Sequence, residues 1–166
     1  EPPPGYERVL TKEQWDGAMR FAERLGLKVW VGINTGPGPR DDQYRWLPAN
    51  AREFLRYNVR KDYPLAVAEY GNEPNVFGIS AIPATYTAAD YARDSVTFER
   101  LLGDVAPDVK LVGPGTVLSP ADPDGEQALG VKLGPTAAEI MPLLPGRFYD
   151  AVNYHYYNAW AFVHGR

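Results

Sequence analysis

Short apolar strands alternate with helical segments along these 166 residues, a pattern that predicts an α/β protein with a parallel sheet. No G-x-G-x-x-G or Walker pattern follows any strand, which weighs against a doubly wound nucleotide-binding sheet. Polar groups at successive strand ends (Asn34, Asn72-Glu73 and His155-Tyr156-Tyr157) favour a (β/α)8 TIM barrel, whose active sites gather at that rim. Four strands are about half of a barrel of roughly 250 residues, and half a barrel would leave two open strand edges. Residues 1–166 are therefore expected to be the central portion of a single barrel, with the remaining strands outside this chain.

Each element has a local signature. Thr11-Lys12-Glu13-Gln14 reads as a capping box, Trp15, Met19, Ala22 and Leu25 recur at helical spacing, and Gly26 stands where a left-handed cap would end the helix. A strand over Leu27–Ile33 follows, then a Gly/Pro loop over 35–42 and a helix from Pro48 to Asn58. Leu65–Tyr70 is the next strand, stopping at Gly71-Asn72-Glu73-Pro74-Asn75. A helix starting at Thr87 or Asp90 runs to about Leu102 and buries Tyr91, Phe98 and Leu101. Val109–Val112 is a third strand, ended by Gly113-Pro114-Gly115; 136–144 is a short helix, and 151–157 a fourth strand.

Composition removes several function classes. Apolar residues are 45% and charged residues 23% of the chain, enough for a core. The absence of Cys excludes disulfides, zinc ribbons, iron–sulfur clusters and a thiol nucleophile. A net charge of -4 argues against a nucleic-acid partner, and no apolar run approaches the roughly 18 residues of a membrane span. Only two His occur, and His164 has no ligand spacing around it, so no metal site is expected. The start, Glu1-Pro2-Pro3-Pro4, lacks both an initiator Met and a signal-peptide shape, which suggests processing or truncation.

Glu73 is the leading candidate for chemistry. It closes an apolar strand, and Pro74 biases it away from helix, which puts Asn72 and Glu73 at the barrel mouth. A carboxyl in a partly apolar pocket can serve as general acid and then base near neutral pH. The alternative for Glu73 is a loop carboxylate paired with an Arg, and for Asn34 a turn former before Thr35-Gly36. His155 and Tyr157 share one face of their strand by alternation, and simple core packing is the alternative for both.

Glu69-Tyr70-Gly71-Asn72-Glu73-Pro74-Asn75 resembles the fourth-strand signature of retaining (β/α)8-barrel glycosidases, and more narrowly of the heparanase-like β-glucuronidases, glycoside hydrolase family 79. Val31–Asn34 is similar to that family's third strand, Lys110–Pro114 to its fifth, and Asp150–Tyr157 to its sixth. The resemblance implies a glycoside hydrolase acting on β-glucuronides with Glu73 as acid/base. It implies that Asn72 holds the sugar 2-hydroxyl, that Asn34 and His155 line the sugar pocket, and that Tyr157 orients the nucleophile. That nucleophile, a Glu of the seventh strand, would lie outside this chain, so the isolated piece should be inactive.

Glu69 is not expected to substitute for the nucleophile, since extended strand geometry would put it about 13 Å from Glu73. No cofactor is implied, because the chemistry needs two carboxylates and water. The expected partners are a carbohydrate substrate and the rest of the barrel, and export to a secreted or periplasmic location follows by analogy alone. Where mammalian heparanases carry a basic stretch, residues 116–134 hold Asp122, Asp124 and Glu126 against Lys132. That balance favours short glucuronides over a sulfated polymer. Arg40, Arg45, Arg52, Arg56, Arg60 and Lys61 form a basic region that reads mostly as a solvated face. Two other readings stand beside this one: a related glycosidase on neutral sugars, of xylosidase or arabinofuranosidase type, and a catalytically silent glycan binder.

Overall fold

The computed structural model describes residues 2, 7–76, 83, 85–117 and 134–155. Strands β1 (Val29–Ile33), β2 (Leu65–Tyr70), β3 (Lys110–Val117) and β4 (Ala151–His155) form one sheet in the order β1-β2-β3-β4. All three pairings are parallel. Helix α1 (Lys12–Arg24) precedes β1, α2 (Ala49–Lys61) crosses to β2 and α3 (Ala88–Val105) crosses to β3. The short α4 (Ala137–Ile140) continues into a 3-10 turn over Met141–Leu143 before β4. Strands lying side by side in chain order, each reached through a helix, repeat the unit of a barrel, so this sheet is a barrel sector.

The helix starts are set by side chains. Thr11 Oγ1 accepts from Gln14 N at 3.2 Å while Gln14 Oε1 accepts from Thr11 N at 2.9 Å, the reciprocal box expected from the sequence. Thr87 with Asp90 and Thr136 with Glu139 repeat it at α3 and α4. Gly26 takes φ 63° after α1, as its position predicts. Helix α2 runs past Asn58 to Lys61, because Asp62 accepts the left-handed cap at φ 54°. Leu25, counted with the buried stripe of α1, is instead the C-cap residue and 58% exposed; Met19 and Ala22 carry the burial.

The two faces of the sheet differ in kind. Ile33, Ala68, Tyr70 and Leu111 face the helices and pack with Leu55, Tyr91, Phe98 and Leu101, all in one core cluster. Each large apolar side chain among them contributes about 1.5–3 kcal/mol on burial. The registers Trp30↔Val67, Gly32↔Glu69 and Glu69↔Val112, with Pro114↔Asn153 and Val117↔His155, set the opposite face. In a barrel that face lines the interior. On the helix side of β4, Val152 and Tyr154 are exposed.

Strand β3 departs from the sequence reading. Gly113-Pro114-Gly115 does not end it; the strand continues to Val117. Gly115, at φ 61°, is an extra residue between Pro114 and Thr116, and the ladder to β4 resumes beyond it. The segment is a bulge inside a strand, and bulges re-aim side chains at barrel rims.

Candidate active site

The chain leaves β2 in a tight turn. Gly71 takes φ 90° and Glu73 φ 47°. A Cβ on Gly71 would stand 2.9 Å from Thr35 Oγ1, so glycine is required there on both counts. The Glu73 N–H donates to Gly115 O at 3.1 Å, and Val76 N–H donates to Glu73 O at 3.0 Å. A left-handed backbone at a glutamate costs about 1–3 kcal/mol and persists where the surroundings over-determine it. The turn delivers the Glu73 carboxyl to His155 on β4, with Oε1 2.9 Å from Nδ1. The side chains remain 18% and 27% exposed, so the pair is reachable from the rim.

Two residues that sequence reasoning gave no part in the site, Asn75 and the core residue Tyr91, hold this turn. Asn75, only 2% exposed, uses its carboxamide as a piece of strand. Its Nδ2 donates to Val117 O at 2.7 Å and its Oδ1 accepts from Val117 N at 2.9 Å. Tyr91 of α3 places its hydroxyl 2.8 Å from Tyr70 O and 3.1 Å from Pro114 O, spanning β2 and β3 where their ladder has ended. The signal for Asn75 lay in the motif itself: a buried Asn directly after Pro must find backbone partners.

Glu69 lies one layer deeper and is 5% exposed. Trp30 Nε1 donates to its Oε2 and Asn153 Nδ2 to its Oε1, both at 3.1 Å. Burial pushes the Glu69 carboxyl above its usual range, against the opposing pull of the Asn153 amide, the His155 ring and the Trp30 indole. Glu69 and Glu73 are joined by a turn and not by the extended strand assumed from the sequence. Their partners, Asn153 and His155, are two residues apart on β4, roughly 7 Å. The turn at Gly71 and Glu73 brings the chain back instead of extending it.

The other predicted residues are spread around the rim. Asn72 is exposed beside Glu73. Asn34, also exposed, accepts from Gly36 N at 2.8 Å and its Nδ2 lies 3.4 Å from Pro37 O, an Asx turn closing β1. Tyr157 lies outside the described residues. Arg40, read with a mostly solvated basic region, instead has its side chain 4% exposed. It pairs with Asp94 of α3 at 2.5 Å, donates to Thr35 O and Tyr44 O, and lies against the Tyr44 and Tyr86 rings. Tyr86 donates to the same Asp94 oxygen at 2.8 Å. Arg40 therefore ties the loop after β1 to α3, because its five donors find enough acceptors to leave water.

Four parallel strands in chain order, with a His-paired carboxyl at their C-terminal rim, make this chain a sector of a (β/α)8 barrel. Residues 5–122 match the family described as glycosyl hydrolase family 79, N-terminal domain, and the chain belongs to that family. It is 28% identical over 121 residues to heparanase-like protein 3 of Arabidopsis thaliana, covering 67% of this chain and 22% of the relative. It is 27% identical over 101 residues to heparanase-like protein 1 of the same plant, covering 58% and 18%. The chain thus spans about a fifth of these relatives. Among solved structures, it is similar in fold to a glycoside hydrolase family 44 endoglucanase of Clostridium acetobutylium ATCC 824. The TM-score is 0.61 and the identity 14%, over 89% of this chain and 39% of the other.

Proposed function

We propose that this chain is the acid/base-bearing sector of a retaining β-glucuronidase that cleaves short glucuronides or glucuronic-acid-containing oligosaccharides. The observation that carries the reading is Glu73 at the rim, its backbone N–H bonded to the Gly115 carbonyl and its carboxyl set against His155. Membership of the family supports glycosidic cleavage, and the heparanase-like relatives support the sugar class. Glu73 gives its proton to the glycosidic oxygen as the bond to the anomeric carbon breaks, while a second carboxylate attacks that carbon. Glu73, now a carboxylate, takes a proton from the water that releases the glycosyl-enzyme.

His155 holds one Glu73 oxygen and fixes the direction in which the carboxyl points. Asn72 binds the 2-hydroxyl, Asn34 borders the sugar, and Tyr157 orients the nucleophile. The rest of the barrel, carrying that nucleophile, is supplied by the same precursor. The acidic side chains Asp122, Asp124 and Glu126 favour a short substrate over a sulfated polymer.

The test is a panel of aryl β-glycosides assayed with the full-length protein and its Glu73→Gln variant. Glucuronides should be cleaved. Glu73→Gln should lower kcat/KM by about 10²–10⁴ on poor leaving groups and far less on activated ones, which need no protonation. Cleavage of neutral glycosides alone would overturn the sugar assignment. Binding of an acidic glycan without turnover would overturn the enzyme.

A further inference from the structure

We infer that Glu69 is a positioning residue for the Glu73–His155 pair, bracing both members from one carboxylate. The inference rests on the acid/base reading of Glu73 and extends it to a residue that touches neither proton nor sugar. One arm runs through β4: Glu69 Oε1 accepts from Asn153 Nδ2 at 3.1 Å, and Asn153 is two residues from His155 on the same face. The other arm runs through the bulge. A Cβ on Gly115 would stand 1.7 Å from Glu69 Oε1, so the carboxylate occupies the room that glycine leaves. The carbonyl of that same Gly115 receives the Glu73 N–H. Trp30 Nε1, on Oε2, fixes the carboxylate from the β1 side.

The chemistry of the position argues for function over packing. A carboxylate at 5% exposure carries a desolvation cost that an apolar side chain of similar volume would not. Burial raises its proton affinity, consistent with that cost. An apolar residue could not accept from Trp30 and Asn153 together, and the two arms would part. A glutamine would keep one acceptor and turn its amide donors toward one of the two N–H groups.

The test compares Glu69→Gln, Asn153→Ala and Glu73→Gln in the full-length protein. Each is assayed on a glucuronide with a poor leaving group and on one with an activated leaving group, and thermal unfolding is measured in parallel. Positioning predicts that Glu69→Gln loses about ten- to a hundred-fold in kcat/KM on the poor leaving group, part of what a general acid supplies, and a smaller factor on the activated one. Asn153→Ala, which cuts only the β4 arm and leaves the carboxylate in place, should show the same selectivity more weakly. It answers the question even if Glu69→Gln does not fold. Equal losses on both substrates, tracking the folded fraction, would overturn the inference while Glu73→Gln stays selective and its reading stands. If Glu73→Gln itself shows no leaving-group selectivity, the acid/base reading falls, and this inference falls with it.

Discussion

Asn75 is the point at which one side chain can cut the Glu73 turn loose. Asn75→Ala removes both bonds to Val117 and leaves that residue's N–H and C=O without partners at a site 2% and 4% exposed. Each orphaned backbone group costs about 1–3 kcal/mol, so unfolding free energy should fall by about 2–6 kcal/mol. Asn75→Asp is the sharper probe. Its carboxylate still accepts from Val117 N, but the second oxygen would meet Val117 O at the 2.7 Å now spanned by an amide donor. Protonation restores a donor, so the folded state raises this carboxyl above its unfolded value near 3.9. Stability is then fully present below that value and lost as pH rises through the folded one.

The assay is urea unfolding of the full-length wild type and both variants from acid to neutral pH, with kcat/KM on a poor-leaving-group glucuronide alongside. The gap between wild type and Asn75→Asp should widen with pH, and the activity loss should exceed the unfolded fraction. A gap that is flat across pH, or a cost for Asn75→Ala below about 0.5 kcal/mol, would refute the strand-mimic role, since surface substitutions cost no more than that.

Three further outcomes can be measured, two of them at the Glu69–Gly115 layer. Gly115→Ala should destabilise by about 2–5 kcal/mol, combining about 1–2 for a left-handed alanine with about 1–3 for the loss of a bond to the displaced Glu69 carboxylate. Gly103→Ala in α3, where a Cβ meets nothing within 4 Å, should instead stabilise by up to about 1 kcal/mol; denaturant midpoints of the two variants decide. Burial raises Glu69 above its ordinary 4.5, so the native state binds a proton that the unfolded chain releases. Its contribution is therefore fully present below pH 4.5 and lost as pH rises through the folded value. Replacing it in Glu69→Gln should flatten that part of the stability–pH curve.

Much of the framework was legible because it obeys local rules. Four strands, their parallel order and the Thr11–Gln14 cap follow from alternation, helical spacing and capping chemistry. The placement of Glu73 at the rim followed from an apolar strand ending before Pro74. Gly113-Pro114-Gly115 misled for a physical reason. Such residues stop most strands, but here the extra Gly115 lets the ladder step past the proline and resume at Thr116. Whether such a tripeptide ends a strand depends on what the neighbouring strands offer, and local rules do not carry that information.

The same limit explains Glu69 and Arg40. Read along the chain, Glu69 is a residue two pleats before Glu73, and Arg40 is one cation in a basic run. Their roles come from partners that are distant in sequence: Asn153 lies 84 residues from Glu69, and Asp94 lies 54 residues from Arg40. A buried charge is retained where several polar groups converge on it, and convergence is a property of the folded rim. The two carboxyls of β2 and its turn thus divide by depth. Burial holds Glu69 between the Trp30 and Asn153 N–H donors, at 5% exposure. The turn lifts Glu73 toward the rim, where its side chain stays 18% exposed. The left-handed Glu73 beyond β2 and the bulged Gly115 inside β3 are joined by one hydrogen bond, so the two irregularities fix each other.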